Sequence, residues 1–252
     1  MLAYSKERDI ALQATIAASE FCEKVRQDQA SQAFAKPDQS PVTVADYGAQ
    51  ALICHSLKNQ FPEDAVVGEE DPLVLSSPGL QSCLNQVTTY LQAWVKGVSS
   101  QNILEWVGQG QDPTGHRFWT VDPIDGTKGF LRGDQYAIAL ALIEKGVIQV
   151  GVLGCPALTL GSQTGVLFVA VRGEGTRLLP LAGPITGEFE AAAPLRVLAE
   201  TTSEQFRFVE SVEAAHGDQT LQQTIARAVG ITAPSIRMDS QAKYGTVAAG
   251  AA

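Results

Sequence analysis

Three observations predict a mixed α and β protein. Apolar residues near the N-terminus recur at helical spacing. Runs of Val, Ile, Leu and Ala, separated by short Gly-containing links, fill the middle of the chain. Between these regions an apolar segment, Phe118-Trp-Thr-Val121, runs straight into Asp122-Pro-Ile-Asp-Gly-Thr127, a cluster of strand-ending and turn-forming residues. With 252 residues, 45% of them hydrophobic, and with 23 Gly and 12 Pro, the chain can bury a sizeable core as one large or two smaller domains.

The elements follow in order. Ile10, Ala14, Ala17, Phe21 and Val25 form one face of a helix over about 7–25. Lys36-Pro-Asp-Gln-Ser-Pro41 is a turn-rich connector. Thr43 is a good N-cap, with Asp46 three residues later as in a capping box, and the helix continues to about Phe61, ahead of Pro62. Ala65-Val-Val-Gly68 is a short strand leading into Glu69, Glu70 and Asp71. Residues 80–95 have helical periodicity, 103–107 form another apolar segment, and 108–115 form a loop.

After the acidic turn, Tyr136–Ile143 and Val147–Gly154 read as a hairpin buried on both faces, with Cys155-Pro156 ending its second strand. Further strands are expected at 165–172 and 176–181. Beyond a small-residue linker at 184–194, strands are expected at 195–198 and 206–210 and a helix at 221–229. A short strand then enters a helix at 236–244, and Val247–Ala252 reads as the interior of that helix, without a C-cap.

A net charge of −9 with no basic stripe argues against a nucleic-acid partner. No apolar run approaches membrane-spanning length, so a soluble, cytoplasmic protein is expected. Cys22, Cys54, Cys83 and Cys155 have no metal-type spacing and read as reduced, buried thiols.

The chemistry concentrates in 119–133. Asp122 and Asp125 can converge on one hard cation, and the Ile124 carbonyl can add a further oxygen. Gly126 allows close approach, Thr127 adds a hydroxyl, and their N–H groups would form a small anion receptor if a short helix follows. Each Asp-Pro or Asp-Gly pair taken singly favours an Asx-rich turn, whereas two acids, Gly, Thr and Lys after a buried strand favour the site. On the residues alone, Asp46 is better explained as a carboxylate favoured by its helix N-terminus and His216 as a surface or satisfied core histidine, and Ser240 reads as a helix cap.

Asp122-Pro-Ile-Asp-Gly-Thr-Lys-Gly-Phe-Leu-Arg-Gly-Asp-Gln-Tyr136 resembles the signature of the inositol monophosphatase superfamily, and its Lys-Gly-Phe-Leu-Arg-Gly tail is similar to the 3'(2'),5'-bisphosphate nucleotidase branch. Val42-Thr-Val-Ala-Asp46, Ser211-Val-Glu-Ala-Ala-His216 and Asp239-Ser-Gln-Ala-Lys-Tyr244 resemble further segments of that family, in the same order.

The resemblance implies a layered αβαβα fold, with a metal-holding lobe over 1–182 and a nucleotide-recognising, incomplete C-terminal lobe over 183–252. It implies two or three Mg²⁺ ions held by Glu69, Asp122, the Ile124 carbonyl and Asp125, with Glu70 behind them. Asp46 and Thr127 would be the catalytic dyad, and Gly126, Thr127, His216, Ser240 and Lys243 the substrate contacts. The implied reaction converts 3'-phosphoadenosine 5'-phosphate (PAP) to AMP and phosphate, with the corresponding phosphosulfate (PAPS) as a second substrate. Lithium sensitivity and a place in sulfate assimilation belong to the same resemblance. Small-molecule substrates are the expected partners, with neither nucleic acid nor membrane, for a monomer with a dimer as alternative. The alternatives are an inositol phosphate phosphatase and a truncated, inactive binder of Mg²⁺ and nucleotide. The family's further Asp, in a Trp-Asp-x-Ala-Ala-Gly motif, does not occur in these 252 residues.

Overall fold

The computed structural model describes residues 4–28, 33–36, 41–109, 115–183, 188–199, 203, 206–213 and 218–252. Its elements are α1 Ser5–Gln27, β1 Phe34–Ala35, β2 Pro41–Val42, α2 Val44–Gln60, β3 Ala65–Gly68, α3 Pro72–Leu75, α4 Gln81–Leu91, α5 Ser100–Val107, β4 Arg117–Asp125 and α6 Thr127–Arg132. There follow β5 Ala137–Glu144, β6 Val147–Leu160, β7 Gln163–Val171, β8 Gly175–Pro180, α7 Glu188–Ala191, β9 Val209–Glu210, α8 Gln219–Ala228, β10 Ile236–Arg237 and α9 Ala242–Ala248.

The centre is a six-stranded sheet in the order β3-β4-β5-β6-β7-β8. β3 and β4 run parallel, and every later neighbour is antiparallel. Two small two-stranded pairs, antiparallel β1·β2 and parallel β9·β10, lie outside it. One sheet face is covered by α1 and α2. Of the α1 face predicted from helical spacing, Ala14, Phe21 and Val25 are buried while Ile10 and Ala17 are half-buried, and the buried stripe also takes in Leu12 and Ala18. Gly48 of α2 lies under the Phe21 ring of α1, where any Cβ would overlap it, so the ring packs directly on the α2 backbone. Full burial of a Phe stabilises by about 1.5–3 kcal/mol.

Among the described residues, the other sheet face is covered at one end only. There α9 and Met238 pack on Ala137, Cys155, Leu158, Val166 and Phe168. The rest carries an open apolar cavity of about 620 Å³, and Ile148 beside it is 59% exposed. The hairpin β5–β6 is therefore not buried on both faces: Ala139 and Ala141 are half-exposed into this cavity while Ile138, Leu140 and Leu142 are buried.

Other expectations also need correction. β4 does not stop at Asp122 but continues to Asp125, with a register shift between the two that absorbs Pro123. β6 runs past Cys155-Pro156 to Leu160 through a similar irregularity. Leu195–Leu198 is not a strand, and only Val209–Glu210 of 206–210 is. The linker contains the helical turn α7. The helix over 80–95 ends at Leu91.

The last helix is also capped. Gly250, at φ 66°, donates its N–H to the Val247 carbonyl, and the Ala251 N–H reaches the Thr246 carbonyl, closing α9 in a Schellman turn. All four cysteines are free and buried. Among the described residues no helix is long and apolar enough to cross a membrane.

Candidate active site

The parallel pairing of β3 and β4 sets Gly68 opposite Val121, and the Glu69 N–H continues the ladder to the Val121 carbonyl at 3.2 Å. Glu69 and Asp122 therefore leave adjacent strand ends side by side. Gln50, buried on α2, fixes this corner. Its amide donates to the Glu70 carbonyl at 2.8 Å and accepts from the Glu70 N–H at 2.9 Å. Lys36 closes it from above, with its ammonium 2.7 Å from Glu70 and 3.5 Å from Glu69. Burial pushes the Glu70 carboxyl up to about 7, and the nearby Asp46 adds to this while Lys36 opposes it.

Asp46 sits in the first turn of α2. Its Oδ2 accepts from the Thr43 N–H at 2.7 Å and the Thr43 hydroxyl at 2.6 Å, completing the capping box read from the sequence. Oδ1 remains and faces the Thr127 hydroxyl at 3.4 Å. The same hydroxyl lies 3.2 Å from the Ile124 carbonyl, so its single proton has two acceptors within reach. Burial raises the Asp46 carboxyl to about 6, despite the Thr43 bonds and Lys36. The capping and catalytic readings of Asp46 are compatible because each oxygen has a different neighbour.

Asp122 is the most perturbed acid. Burial, followed by the charge of Glu69 and a hydrogen bond shared with it and then by Asp125, pushes its carboxyl to about 8. Its Oδ1 is buried and has no hydrogen-bond partner among the described groups. Burial also raises the Asp125 carboxyl, and the Gln241 N–H that it accepts and Lys243 oppose this.

As the side chains stand, no three His, Cys, Asp or Glu among the described residues are gathered closely enough to hold an ion. Lys36 draws on Glu69, and the Gln241 N–H occupies one oxygen of Asp125. The donor chemistry nevertheless fits a hard cation. The charges of Glu69 and Asp125 act on Asp122, one buried Asp122 oxygen has no partner among the described residues, and the Ile124 carbonyl is held 3.2 Å from the Thr127 hydroxyl, an arrangement that positive charge would relieve.

Gly126 turns the chain at φ 91°, a conformation that favours glycine, and a Cβ there would crowd Cβ of Ser240 at 3.1 Å. The short helix α6 follows, as the anion-receptor expectation needed. Facing it, Ser240 has a left-handed backbone (φ 71°) and accepts the Ala242 N–H at 3.2 Å, the local capping role. The Lys243 ammonium is held between the Ser211 hydroxyl at 3.2 Å and the Met238 carbonyl at 3.4 Å. A cavity of about 550 Å³ opens among Glu69, Asp125, Gly126, Thr127, Ser240 and Lys243. Its polar lining distinguishes it from the larger apolar cavity, which touches the carboxylates only at Glu69 and Asp122. His216 lies outside the described residues.

The model of the inositol monophosphatase family matches residues 4–252 of this chain. The chain belongs to that family. A 3'(2'),5'-bisphosphate nucleotidase of Oryza sativa is 39% identical over 272 residues, covering 98% of this chain and 74% of that protein. The 3'(2'),5'-bisphosphate nucleotidase 1 of Arabidopsis thaliana is 37% identical, over 99% and 76% respectively. Among solved structures, CysQ of Bacteroides thetaiotaomicron aligns with a TM-score of 0.64 at 22% identity, covering all of this chain and 79% of its own. An IMPase of Thermotoga maritima gives 0.65 at 19% identity, over 97% and 73%. These structural likenesses establish the layered family fold.

Within this family member the geometry brings together Asp46, Glu69, Asp122, Ile124, Asp125, Gly126, Thr127, Ser240 and Lys243. Sequence reasoning missed Lys36, Gln50, Arg132 and Asp239. Lys36 and Gln50 act through partners 34 and 20 residues away, a pairing that no local pattern announces.

Proposed function

We propose that this chain is a Mg²⁺-dependent phosphomonoesterase that hydrolyses the 3'-phosphate of PAP to give AMP and phosphate, with PAPS as a second substrate. The supporting observation is the meeting of the Asp46–Thr127 pair with three crowded carboxyls at the ends of β3 and β4. Relatives named 3'(2'),5'-bisphosphate nucleotidase, 33–39% identical over nearly the whole chain, supply the substrate class.

Glu69, Asp122, Asp125 and the Ile124 carbonyl would hold the ions. When bound, Mg²⁺ supplies Lewis acidity to a water and to the phosphate oxygens. Thr127 accepts the proton of the attacking water as its own hydroxyl proton passes to Oδ1 of Asp46. A carboxyl raised to about 6 is well matched to that task near neutral pH. Ser240, Lys243 and His216 would orient the nucleotide, and backbone N–H groups around Gly126 and Thr127 would offset charge on the transferring phosphoryl group. In this reading 1–182 holds the metals and 183–252 the nucleotide.

The test compares kcat/KM for PAP with that for inositol 1-phosphate under the same Mg²⁺. The nucleotide should be favoured by at least roughly tenfold, about 1.4 kcal/mol in transition-state binding. Equal turnover, or preference for the inositol ester, would contradict the assignment.

A further inference from the structure

The tail of the signature contains an arginine to which the proposed chemistry gives no role. Arg132 ends α6, and its guanidinium meets carboxylates from three segments. Nε reaches Asp134 at 3.0 Å, one terminal nitrogen reaches Glu213 at 2.7 Å, and the other pairs with Asp239. The Asp239 side chain is only 6% exposed, whereas that of Arg132 is 36% exposed. Lys128, one helical turn earlier, approaches Glu213 as well, at 3.5 Å.

These contacts form a closed circuit. At the start of α6, the Asp125 carboxylate accepts the Gln241 N–H, and Gly126 lies against Ser240. At its end, Arg132 holds Asp239. Both ends of one short helix are thus tied to the same three-residue turn, whose middle residue, Ser240, has a left-handed backbone that non-glycine residues rarely adopt. Glu213 ties the segment after β9 to the same helix, and Lys243 bonds Ser211 in that segment.

We propose that Arg132 is a positioning residue: it clamps the Asp239–Gln241 turn and the Glu213 segment onto α6, so that Asp125, Ser240 and Lys243 are set as one unit. A planar guanidinium with five donors suits three acids arriving from different directions, which a lysine ammonium matches poorly. Loss of Arg132 would also leave Asp239 as a buried charge without its partner, which favours release of the turn. The catalytic consequence rests on the reading of Ser240 and Lys243 as substrate contacts; the clamp itself does not.

The experiment uses Arg132→Gln and Arg132→Lys in the full chain, with two readouts. In steady-state turnover of PAP, Arg132→Gln should raise KM and the Mg²⁺ concentration for half-activity by roughly tenfold or more. The kcat at saturation should stay within about threefold, and Arg132→Lys should fall between. A purely structural role would lower the active fraction, and with it kcat, leaving KM unchanged. In hydrogen exchange, Arg132→Gln should speed exchange at the Gln241 and Ala242 amides by at least roughly tenfold, while amides of α1 and α2 keep their wild-type rates. If the wild-type chain does not turn over PAP, the functional reading fails, and the exchange measurement still decides the clamp. Wild-type exchange at 241 and 242 in Arg132→Gln overturns the clamp. Faster exchange there with unchanged KM in an active enzyme overturns its role in positioning substrate.

Discussion

Replacing Asp122 with Asn should stabilise the metal-free protein at pH 8 while removing most of what Mg²⁺ adds. The carboxyl is moved from its ordinary value of 3.8 to about 8 by burial and by Glu69 and Asp125. Between those values the folded state keeps a proton that the unfolded state has released, so stability falls as pH rises, by about 1.4 kcal/mol per pH unit for a fully isolated group. The contribution is intact below about pH 4 and lost by about pH 8. Partial solvent access and sharing of the proton with Glu69 reduce the total to roughly 1–3 kcal/mol.

The amide introduced by Asp122→Asn carries no charge at any pH, so the variant escapes this loss. By differential scanning fluorimetry in chelator, it should melt about 2–10 °C above wild type at pH 8, and the gap should close towards pH 4. With Mg²⁺ the order should reverse, because wild type would gain RT ln(1 + [Mg]/Kd) and the variant would lack one of the proposed ligands. A variant that melts below wild type in chelator at pH 8, or that gains as much from Mg²⁺, would falsify the account of these carboxyls.

Other expected outcomes follow from the same geometry. Asp46→Asn keeps an oxygen for the Thr43 N–H, so stability should change by less than about 1 kcal/mol, whereas kcat should fall about 10²–10⁴-fold. Denaturant melts alongside initial rates separate the two effects, and a variant within tenfold of wild-type kcat would remove Asp46 from the dyad. Gly126→Ala should cost about 1–3 kcal/mol, from φ 91° and the approach to Ser240, and should depress turnover; urea titration showing no loss would count against the turn as described. The four thiols should resist an aromatic disulfide reagent in the native state and react fully in urea, since burial also raises Cys54, Cys83 and Cys155 to about 12. Rapid native labelling of even one would contradict their burial.

Local patterns made much of this legible. The capping box at Thr43 and Asp46 and the short strand into Glu69 each leave a signal within a few residues and stand where the local pattern predicts, and so does the acidic turn after Trp119, except that its strand ends at Asp125 rather than Asp122. Where neighbours along the chain do not decide the outcome, the reading failed. The near-continuous runs of Ala, Val, Ile and Leu in β5 and β6 suggest burial on both faces, yet whether a face is covered depends on elements remote in sequence. Pro123 and Pro156 suggest strand ends, but each is accommodated by a register shift that only the pairing partner defines. Leu195–Leu198 has strand composition, but among the described residues its pairing stops at the bridge at Pro194 and the Leu195 N–H bond to the Thr176 carbonyl. The same limit hid Lys36, Gln50 and the Arg132–Asp239 pair, whose roles come from contacts 20 to 107 residues away.

The carboxyls around Asp122 and the Asp46–Thr127 pair are proposed to form one Mg²⁺-dependent phosphatase centre. Phosphate release from PAP by the 252-residue chain tests it most directly, measured with Mg²⁺, with chelator, and in Asp122→Asn. The account predicts release that requires Mg²⁺ and is lost in the variant. Release that persists in chelator, or that survives in Asp122→Asn at the wild-type rate, would contradict it.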